Sequence, residues 1–413
     1  MKIDMRNEMN LFIFGANWYN RGDEAAIRAM IDELRRLYPD AHFKIQFNQE
    51  VDIFPYEDIE IIPRIKVPSK RRNIIDYVSY MIASKTNWRV RILTKRVRSN
   101  YKRLMQAVEW SDIAIYAPGG PSIGDYYRQY YLLDIMVLLR NARKPYFIYA
   151  PSMGPFSKNG KRIRDVLKDA MAICVREKIS YDHLQKLDLN ILPVVTLDSA
   201  FQHSINKEEY IENLIKDKGL FEFISKHERI IGMTLTDLMW HNEYKNTELD
   251  ITIRDSFQRF IGELSKNGYA VLFLPQLFGI HNDMDYMKEF CEDNCYVMSD
   301  KHDCYFQQYI ISKMYAVVGM RYHSNIFSAK EGTPFMSISY EPKMRGFMEK
   351  SELEDFYINV NDLSYESLVS KFSLLEQQYE KYKGLLNEKK EVFKEESYKT
   401  TELLCRCLNK MNS

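Results

Sequence analysis

Residues 317–347 read V-V-G-M-R-Y-H-S-N-I-F-S-A-K-E-G-T-P-F-M-S-I-S-Y-E-P-K-M-R-G-F, and no other stretch constrains the fold as much. An apolar strand ends at Gly319, and a turn then carries Arg321 and His323. A short helix over 324–330 is expected to stop at Gly332, glycine being a usual helix terminator. A second apolar strand, 335–339, leads to Tyr340, Lys343 and Arg345. Strand, helix and strand in that order predict a parallel crossover, and open parallel sheets bind ligands just beyond their strand ends. Three cations and a histidine at such a place suit a small, multiply charged anion with proton transfer close by.

The same alternation runs through the chain. Short apolar strands are predicted at 11–14, 43–47, 59–62, 112–117, 146–150, 172–175 and 194–197. After a charged helical stretch at 206–226 they resume at 230–235, 270–274, 315–319 and 335–339, with helices at 257–266, 284–291 and 305–314. Alternating elements imply parallel, right-handed crossovers. At 413 residues the chain is long for one core and comfortable for two. We divide it into 1–205, 206–362 and a Glu-, Lys-, Leu- and Tyr-rich tail, 363–413, expected to form long helices packing back across both domains.

Several loops at strand ends are candidates for function. The first, G-A-N-W-Y-N-R-G-D-E at 15–24, precedes a helix with Ile27, Met30, Ile31 and Leu34 on one face. It lacks the G-x-G-x-x-G pattern of a dinucleotide site. It is either an anion site at a helix N-terminus or a plain turn whose Asp23 favours the helix start. Gly119 and Gly120, after the strand at 112–117, let backbone N–H groups approach a ligand or simply make a turn. Gln276 follows another strand end. Arg176 and Glu177 end the strand at 172–175, where Arg176 either meets a ligand or pairs with a neighbouring acid.

Composition excludes several classes. A hydrophobic share of 46% argues against general disorder, and a net charge of +1 is no polyanion-binding signature. The six cysteines lack paired zinc spacing, and Cys291 and Cys295 look like neighbours on one helix. Free thiols suit a reducing cytoplasm. The N-terminal residues hold no apolar signal segment, and no apolar run approaches the ~20 residues of a membrane span. There is no H-E-x-x-H, C-x-x-C or Walker loop, so no metal site is expected.

Four stretches in order resemble the polysaccharide pyruvyl transferase family: N-R-G-D-E-A-A-I at 20–27, Y-A-P-G-G-P-S-I at 116–123, V-R-E at 175–177, and G-M-R-Y-H with S-Y-E-P-K-M-R-G-F near the end. Pro121 departs from the family's more usual third glycine. The resemblance implies an α/β fold of two Rossmann-like domains facing each other across a cleft, as in GT-B-type glycosyltransferases. It implies transfer of pyruvate from phosphoenolpyruvate onto a sugar as a cyclic ketal, in capsule or exopolysaccharide biosynthesis. The N-terminal domain would be the acceptor side and the C-terminal domain the donor side. Arg321 and His323 match the family's late R-x-H, Lys343 its following lysine, and Arg176 the arginine of its middle motif.

On that reading Arg321, Lys343, Arg345 and Arg176 hold the phosphate and carboxylate of phosphoenolpyruvate, arginine forks suiting both groups. His323 is the general acid or assists phosphate departure. Asn20 and Asp23 lie on the acceptor side, with Asp23 taking the proton of the attacking hydroxyl. Phosphoenolpyruvate is a co-substrate, and the route needs no metal or redox cofactor. One rival is a nucleotide-sugar glycosyltransferase, for which Glu341 and Glu349 have a loose E-x7-E spacing. The other is a non-catalytic scaffold of a polysaccharide assembly complex.

The basic segment 64–103 stands apart. It holds 13 Lys or Arg and one acid, Asp76, for a net +12, leaving −11 on the rest of the chain. Ile74, Tyr77, Val78 and Met81 make one helical stripe, and Leu93, Val97, Tyr101, Leu104, Met105 and Val108 a second. With Trp88 and the tyrosines they read either as a membrane-surface element or as two helices packing on the core under a solvated basic face. The membrane reading fits an acceptor sugar on a polyprenyl diphosphate and a cytoplasmic protein peripheral at the inner face of the membrane.

Overall fold

The computed structural model describes residues 8–412 apart from 65, 87–89, 240, 242, 280 and 281, and excludes the side chains at 90, 342 and 412. Trp88 therefore lies outside the described residues. The chain divides into two compact units: Met1–Trp18, Ala26–Ser199 and Ser397–Ser413 in one, Tyr19–Ala25 and Ala200–Glu396 in the other.

The first unit is built on β1 (Met9–Ala16), β2 (Ala41–Phe47), β3 (Glu60–Ile62), β4 (Ile113–Tyr116) and β5 (Tyr146–Ile148). They form one parallel sheet in the order β3-β2-β1-β4-β5. Central strands of such sheets are covered on both faces, and Leu11, Phe12, Ile13 and Phe14 of β1 are fully buried. A two-stranded parallel sheet, β6 (Cys174–Val175) with β7 (Val194–Val195), lies beyond β5, tied to it through the pairing of Ile148 with Ile173. The helices are α1 (Arg21–Leu37), α2 (Ile74–Lys85), α3 (Lys95–Trp110), α4 (Tyr131–Asn141), α5 (Gly160–Leu167) and α6 (Lys178–Gln185). In α1 the expected face of Ile27, Met30, Ile31 and Leu34 is fully buried. Its acids open the helix and Arg35 and Arg36 close it, which complements the helix dipole.

The basic segment splits in a way that periodicity alone does not reveal. The second stripe goes inward: Val97, Tyr101, Leu104 and Val108 of α3 are buried. The first is divided: Ile74 and Val78 are exposed, whereas Tyr77 and Met81 are half-buried and Met81 packs against the core; α2 buries Asp76, Ser79, Tyr80 and Ala83, and also exposes Ile75 and Ile82. Its polar stripe is anchored by Asp134 of α4, which is fully buried. Asp134 accepts from the Tyr80 hydroxyl at 2.5 Å and from Ser84 at 3.3 Å, and it pairs with Arg162 of α5.

The second unit holds β8 (Ile230–Thr234), β9 (Ala270–Phe273), β10 (Cys295–Val297), β11 (Ala316–Gly319), β12 (Phe335–Ser339) and β13 (Tyr357–Asn359) in one parallel sheet, ordered β10-β9-β8-β11-β12-β13. Its helices are α7 (Lys207–Lys216), α8 (Lys218–Lys226), α9 (Thr247–Lys266), α10 (Met284–Lys288), α11 (Cys304–Ile311), α12 (Tyr322–Glu331), α13 (Pro342–Lys350), α14 (Tyr365–Gln377) and the first part of α15 (Tyr379–Asn412). Gly332 ends α12 with φ +74, the left-handed conformation that glycine takes without strain. Tyr382 of α15 donates to the Phe335 carbonyl at 2.6 Å within this unit. Past Ser397 the same helix counts with the first unit, where Thr400 meets Thr196 at 2.8 Å and Thr401 meets Tyr149 at 2.6 Å.

Several boundaries differ from expectation. The aromatic-rich stretch 126–141, which reads in the sequence as one helix, becomes helical only at Tyr131, after a turn in which Arg128 has φ +52. The stretch 206–226 is two helices broken at Asp217, whose carboxylate accepts from the Leu220 amide at 3.2 Å and so starts α8. Cys291 and Cys295 do not share a helix: Cys291 follows α10 and Cys295 opens β10. No helix among the described residues is long and apolar enough to cross a membrane.

Replacing Asp134 by Ala leaves the Tyr80 hydroxyl and Arg162 without their shared acceptor. Leaving a buried hydroxyl without its acceptor costs ~1–3 kcal/mol, so the variant should show a clearly lower urea midpoint than wild type in equilibrium unfolding followed by circular dichroism.

Candidate active site

In a sheet of this kind the crevice for ligands opens where the strand order reverses, at the carboxyl ends. In the second unit that point lies between β8 and β11. The Thr234 hydroxyl at the end of β8 fixes the turn after β11. It accepts from the Met320 and Arg321 amides at 3.0 and 3.2 Å and meets the Ser324 hydroxyl at 2.9 Å. Arg321 is the extended residue before α12, and His323 lies in that helix's first turn.

Arg321 is buried, and its guanidinium donates to Asp283 at 2.6 Å and to the Tyr340 hydroxyl at 3.4 Å. The other oxygen of Asp283 accepts from the Gln276 and Leu277 amides at 3.1 and 2.9 Å. Burial works against the charge on Arg321, but the Asp283 carboxylate outweighs it and holds the guanidinium above its ordinary pKa. Burial likewise pushes the Tyr340 phenol up to about 12, against the pull of Arg321.

The loop 19–25 packs within this same unit. Asn20 pairs with Leu277 as an isolated bridge, Arg21 N–H donates to the Gln276 carbonyl at 2.8 Å, and Phe278 N–H donates to the Tyr19 carbonyl at 3.2 Å. Asn20 Oδ1 accepts from the Gly22 amide at 2.9 Å, which tightens the turn before the half-buried Asp23. Arg21 pairs with Glu24 and lies 3.6 Å over the Phe278 ring. Gly22 faces His323 so closely that a Cβ there would fall 1.8 Å from the imidazole Cγ and Nδ1. Only glycine lets the buried His323 ring sit against this loop.

The remaining predicted residues are placed as follows. Lys343, near the start of α13, pairs with Glu341 at 2.5 Å and lies 5.4 Å from the centre of the Tyr322 ring. Arg345 is an exposed partner of Glu349 at 2.7 Å, one turn along α13. Gln276 is buried and donates to Gln307 at 2.5 Å, so it holds the loop after β9 rather than presenting its amide to solvent. In the first unit, Gly119 has φ +139 and its carbonyl accepts from Ser152 N–H at 2.9 Å; Gly120 has room for a Cβ, Tyr127 being 3.7 Å away.

Arg176 forms the acid pair weighed above. It is almost wholly buried, donating to Asp198 at 2.5 Å and to the Ser152 hydroxyl at 2.9 Å, with Glu177 3.4 Å away. Ser152 in turn donates to Glu177 at 3.0 Å.

Two groups had no signal in the sequence. Asp283 sits in H-N-D-M-D, a run without a motif. His241, in the loop after β8, is buried, with its ring 5.9 Å from that of Tyr340, and its Nδ1 accepts from Glu243 N–H at 3.2 Å. Burial holds its pKa below the ordinary histidine value, the nearby Glu341 only partly opposing. The imidazole is therefore mostly neutral at pH 7, and with Nδ1 accepting it carries its proton on Nε2.

Two parallel sheets, each reversing its strand order beside a glycine-bearing turn, with a helical C-terminal region, define an α/β fold of the GT-B type. UDP-GlcNAc 2-epimerase from Neisseria meningitidis, solved with UDP-GlcNAc, is similar, with a TM-score of 0.58 at 12% identity over 96% of this chain and 99% of that one. A ugt transferase from Siraitia grosvenorii, solved with UDP, has a TM-score of 0.53 at 10% identity over 97% and 100%. At the level of family, the model of polysaccharide pyruvyl transferase matches residues 20–342, and the chain belongs to that family. It is also 23% identical over 403 residues to the amylovoran biosynthesis protein AmsJ of Erwinia amylovora, covering 87% of this chain and 90% of the relative.

Breaking the Arg176–Asp198 pair leaves a buried carboxylate uncompensated, which costs ~3–5 kcal/mol. Arg176→Leu should therefore lower the thermal unfolding midpoint markedly. An unchanged midpoint together with a raised donor KM would instead make Arg176 a ligand contact.

Proposed function

We propose that this chain transfers the pyruvyl group of phosphoenolpyruvate onto two hydroxyls of a sugar in a polysaccharide precursor, forming a cyclic ketal. The observation that carries the reading is the seating of His323 against Gly22. It brings the N-R-G-D loop and the R-x-H turn to one place, at the strand-order reversal of the second sheet.

Phosphoenolpyruvate needs cations in fixed geometry. Arg321, oriented by Asp283 and Tyr340, supplies one. Lys343 supplies another by leaving Glu341, a carboxylate two residues before it. In the reaction a proton is added to the methylene carbon of the donor, and a sugar hydroxyl attacks the adjacent carbon. The carbon–oxygen bond to phosphate breaks, and a second hydroxyl closes the ring. Of the two hydroxyl protons released overall, one is accounted for in the new methyl group and one on the departing phosphate. His323 is the general acid of this scheme, and Asp23, one residue past Gly22, receives a hydroxyl proton. Asn20 shapes the acceptor loop through its own turn. The acceptor is a lipid-linked sugar, a reading supported by the exposed basic surface of 64–103.

Incubation with phosphoenolpyruvate and with nucleotide sugars separately, followed by mass spectrometry of candidate acceptors, tests the class. Phosphate release with gain of a pyruvyl ketal is the expected result, and consumption of a nucleotide sugar alone would replace this reading with glycosyl transfer. His323→Gln should lower kcat ~100- to 10,000-fold, the usual contribution of a positioned acid. Gly22→Ala should follow it, since the added methyl displaces the ring. Lys343→Ala should mainly raise the donor KM, ~10- to 100-fold for one charge-assisted contact. Wild-type kinetics in His323→Gln would remove it from the chemistry.

A further inference from the structure

Helix α2 is built inside out. Its core-facing positions 76, 79, 80 and 83 are Asp, Ser, Tyr and Ala, and its solvent-facing positions 74, 75, 78 and 82 are Ile, Ile, Val and Ile. The inward polar groups are all engaged. Asp76 accepts from the Thr94 hydroxyl at 2.6 Å, Ser79 donates to the Asp76 carbonyl at 2.9 Å, and Tyr80 reaches Asp134. The helix cannot simply roll to bury its isoleucines, because rolling would strip these bonds and take the Tyr80 and Ser84 donors from the buried Asp134. The orientation is therefore set by the fold, and the apolar face is held outward.

That face is not an isolated accident of the surface. Of the eighteen exposed large hydrophobics among the described residues, six lie between Val67 and Ile92. Exposed apolar side chains gathered on one helix face, as Ile74, Ile75, Val78 and Ile82 are, suit an interaction site. Its charge setting is equally one-sided. All twelve described cations of 64–103 are exposed, while the segment's one acid, Asp76, is buried. Lys70, Arg71 and Arg72 immediately precede the helix cap at Asn73, and Lys85 lies in its last turn. Arg91, Lys95, Arg96, Arg98 and Lys102 follow. From outside the segment, Glu50 pairs with Lys66 at 3.5 Å, and Glu60 is shared between Arg103 at 2.9 Å and Lys44 at 3.1 Å.

We propose that α2 and its flanking cations dock the protein on an anionic lipid bilayer, with the helix lying in the plane of the surface. Ile74, Ile75, Val78 and Ile82 enter the boundary between headgroups and acyl chains, and Lys70, Arg71, Arg72 and Lys85 meet lipid phosphates. A basic helix with one apolar face is the element that binds in this way. The charge argues for this occupant over a second copy of the chain, since a two-fold contact would set one +12 segment against another. The remaining −11 is repelled by the same leaflet, so the molecule meets it by this face alone. The proposal does not depend on the pyruvyl transfer reading: a chain with any activity would dock, and a pyruvyl transferase that failed to dock would still turn over soluble acceptors.

The test is flotation of the full chain with vesicles of phosphatidylcholine alone and of phosphatidylcholine with about a third phosphatidylglycerol. Wild type should float with the anionic vesicles at low salt, and much less at high salt or with the neutral ones. Lys70→Gln, Arg71→Gln and Arg72→Gln together should weaken partitioning ~100-fold, from about 1 kcal/mol per cation. Ile75→Ser, Val78→Ser and Ile82→Ser together should weaken it at least ~10-fold through lost apolar burial. These side chains are exposed, so both variants should keep the wild-type melting temperature. Amide hydrogen exchange of wild type, which needs no variant, should slow across α2 when anionic vesicles are added. Wild type that stays unbound on anionic vesicles overturns the proposal, as does a serine variant that floats like wild type or unchanged exchange in α2. Dimerisation lost in the serine variant, without vesicle binding, would assign the face to a second copy.

Discussion

One carboxylate organises the carboxyl end of the second unit's sheet. Asp283 accepts two backbone N–H groups from the loop after β9 with one oxygen and the Arg321 guanidinium with the other. Arg321 reaches on to Tyr340 at the end of β12, and the same loop that Asp283 pins carries the Gln276 carbonyl that receives Arg21. Four chain segments far apart in sequence are thus referred to a single anion. A charge buried this deeply is tolerable only when it is paired and hydrogen-bonded, and here that pairing holds the Arg321 guanidinium in place while Thr234 fixes the turn.

Much of this was legible beforehand, and the reasons differ by element. Strands buried on both faces announce themselves as apolar runs, as at Leu11–Phe14 and Phe335–Ser339, so the two sheets and the crossover at Arg321 could be read. β10 and β13 could not: C-Y-V and Y-I-N are three-residue edge strands, too short and too polar to stand out. The glycine in N-R-G-D looked like a turn residue, yet it is required by a side chain about three hundred positions away. Asp283 and His241 had no local pattern at all, because their partners arrive only with the tertiary fold. Arg176 shows the reverse problem. A basic residue at a strand end looks the same in sequence whether it meets a ligand or, as here, an aspartate.

Helix α2 marks a sharper limit. Periodicity reports that a helix has two unlike faces, not which one points inward. The core-facing choice is normally settled by burying the apolar stripe. Here it is settled by Asp134, whose buried carboxylate demands donors and takes them from Tyr80 and Ser84. Charge concentration was visible in the sequence, whereas the outward isoleucines were not, and the two together turn a basic segment into a defined surface.

The division of α15 between the units bears on how the chain is made. Tyr398 meets Glu33, Thr400 meets Thr196, and Thr401 meets Tyr149, all within the first unit. Those contacts come from residues translated after the whole of the second unit. During synthesis the first sheet can assemble early, but its last hydroxyl partners arrive only when Ser397–Ser413 has been added. The first unit's full set of contacts can therefore form only after the second unit has been synthesised.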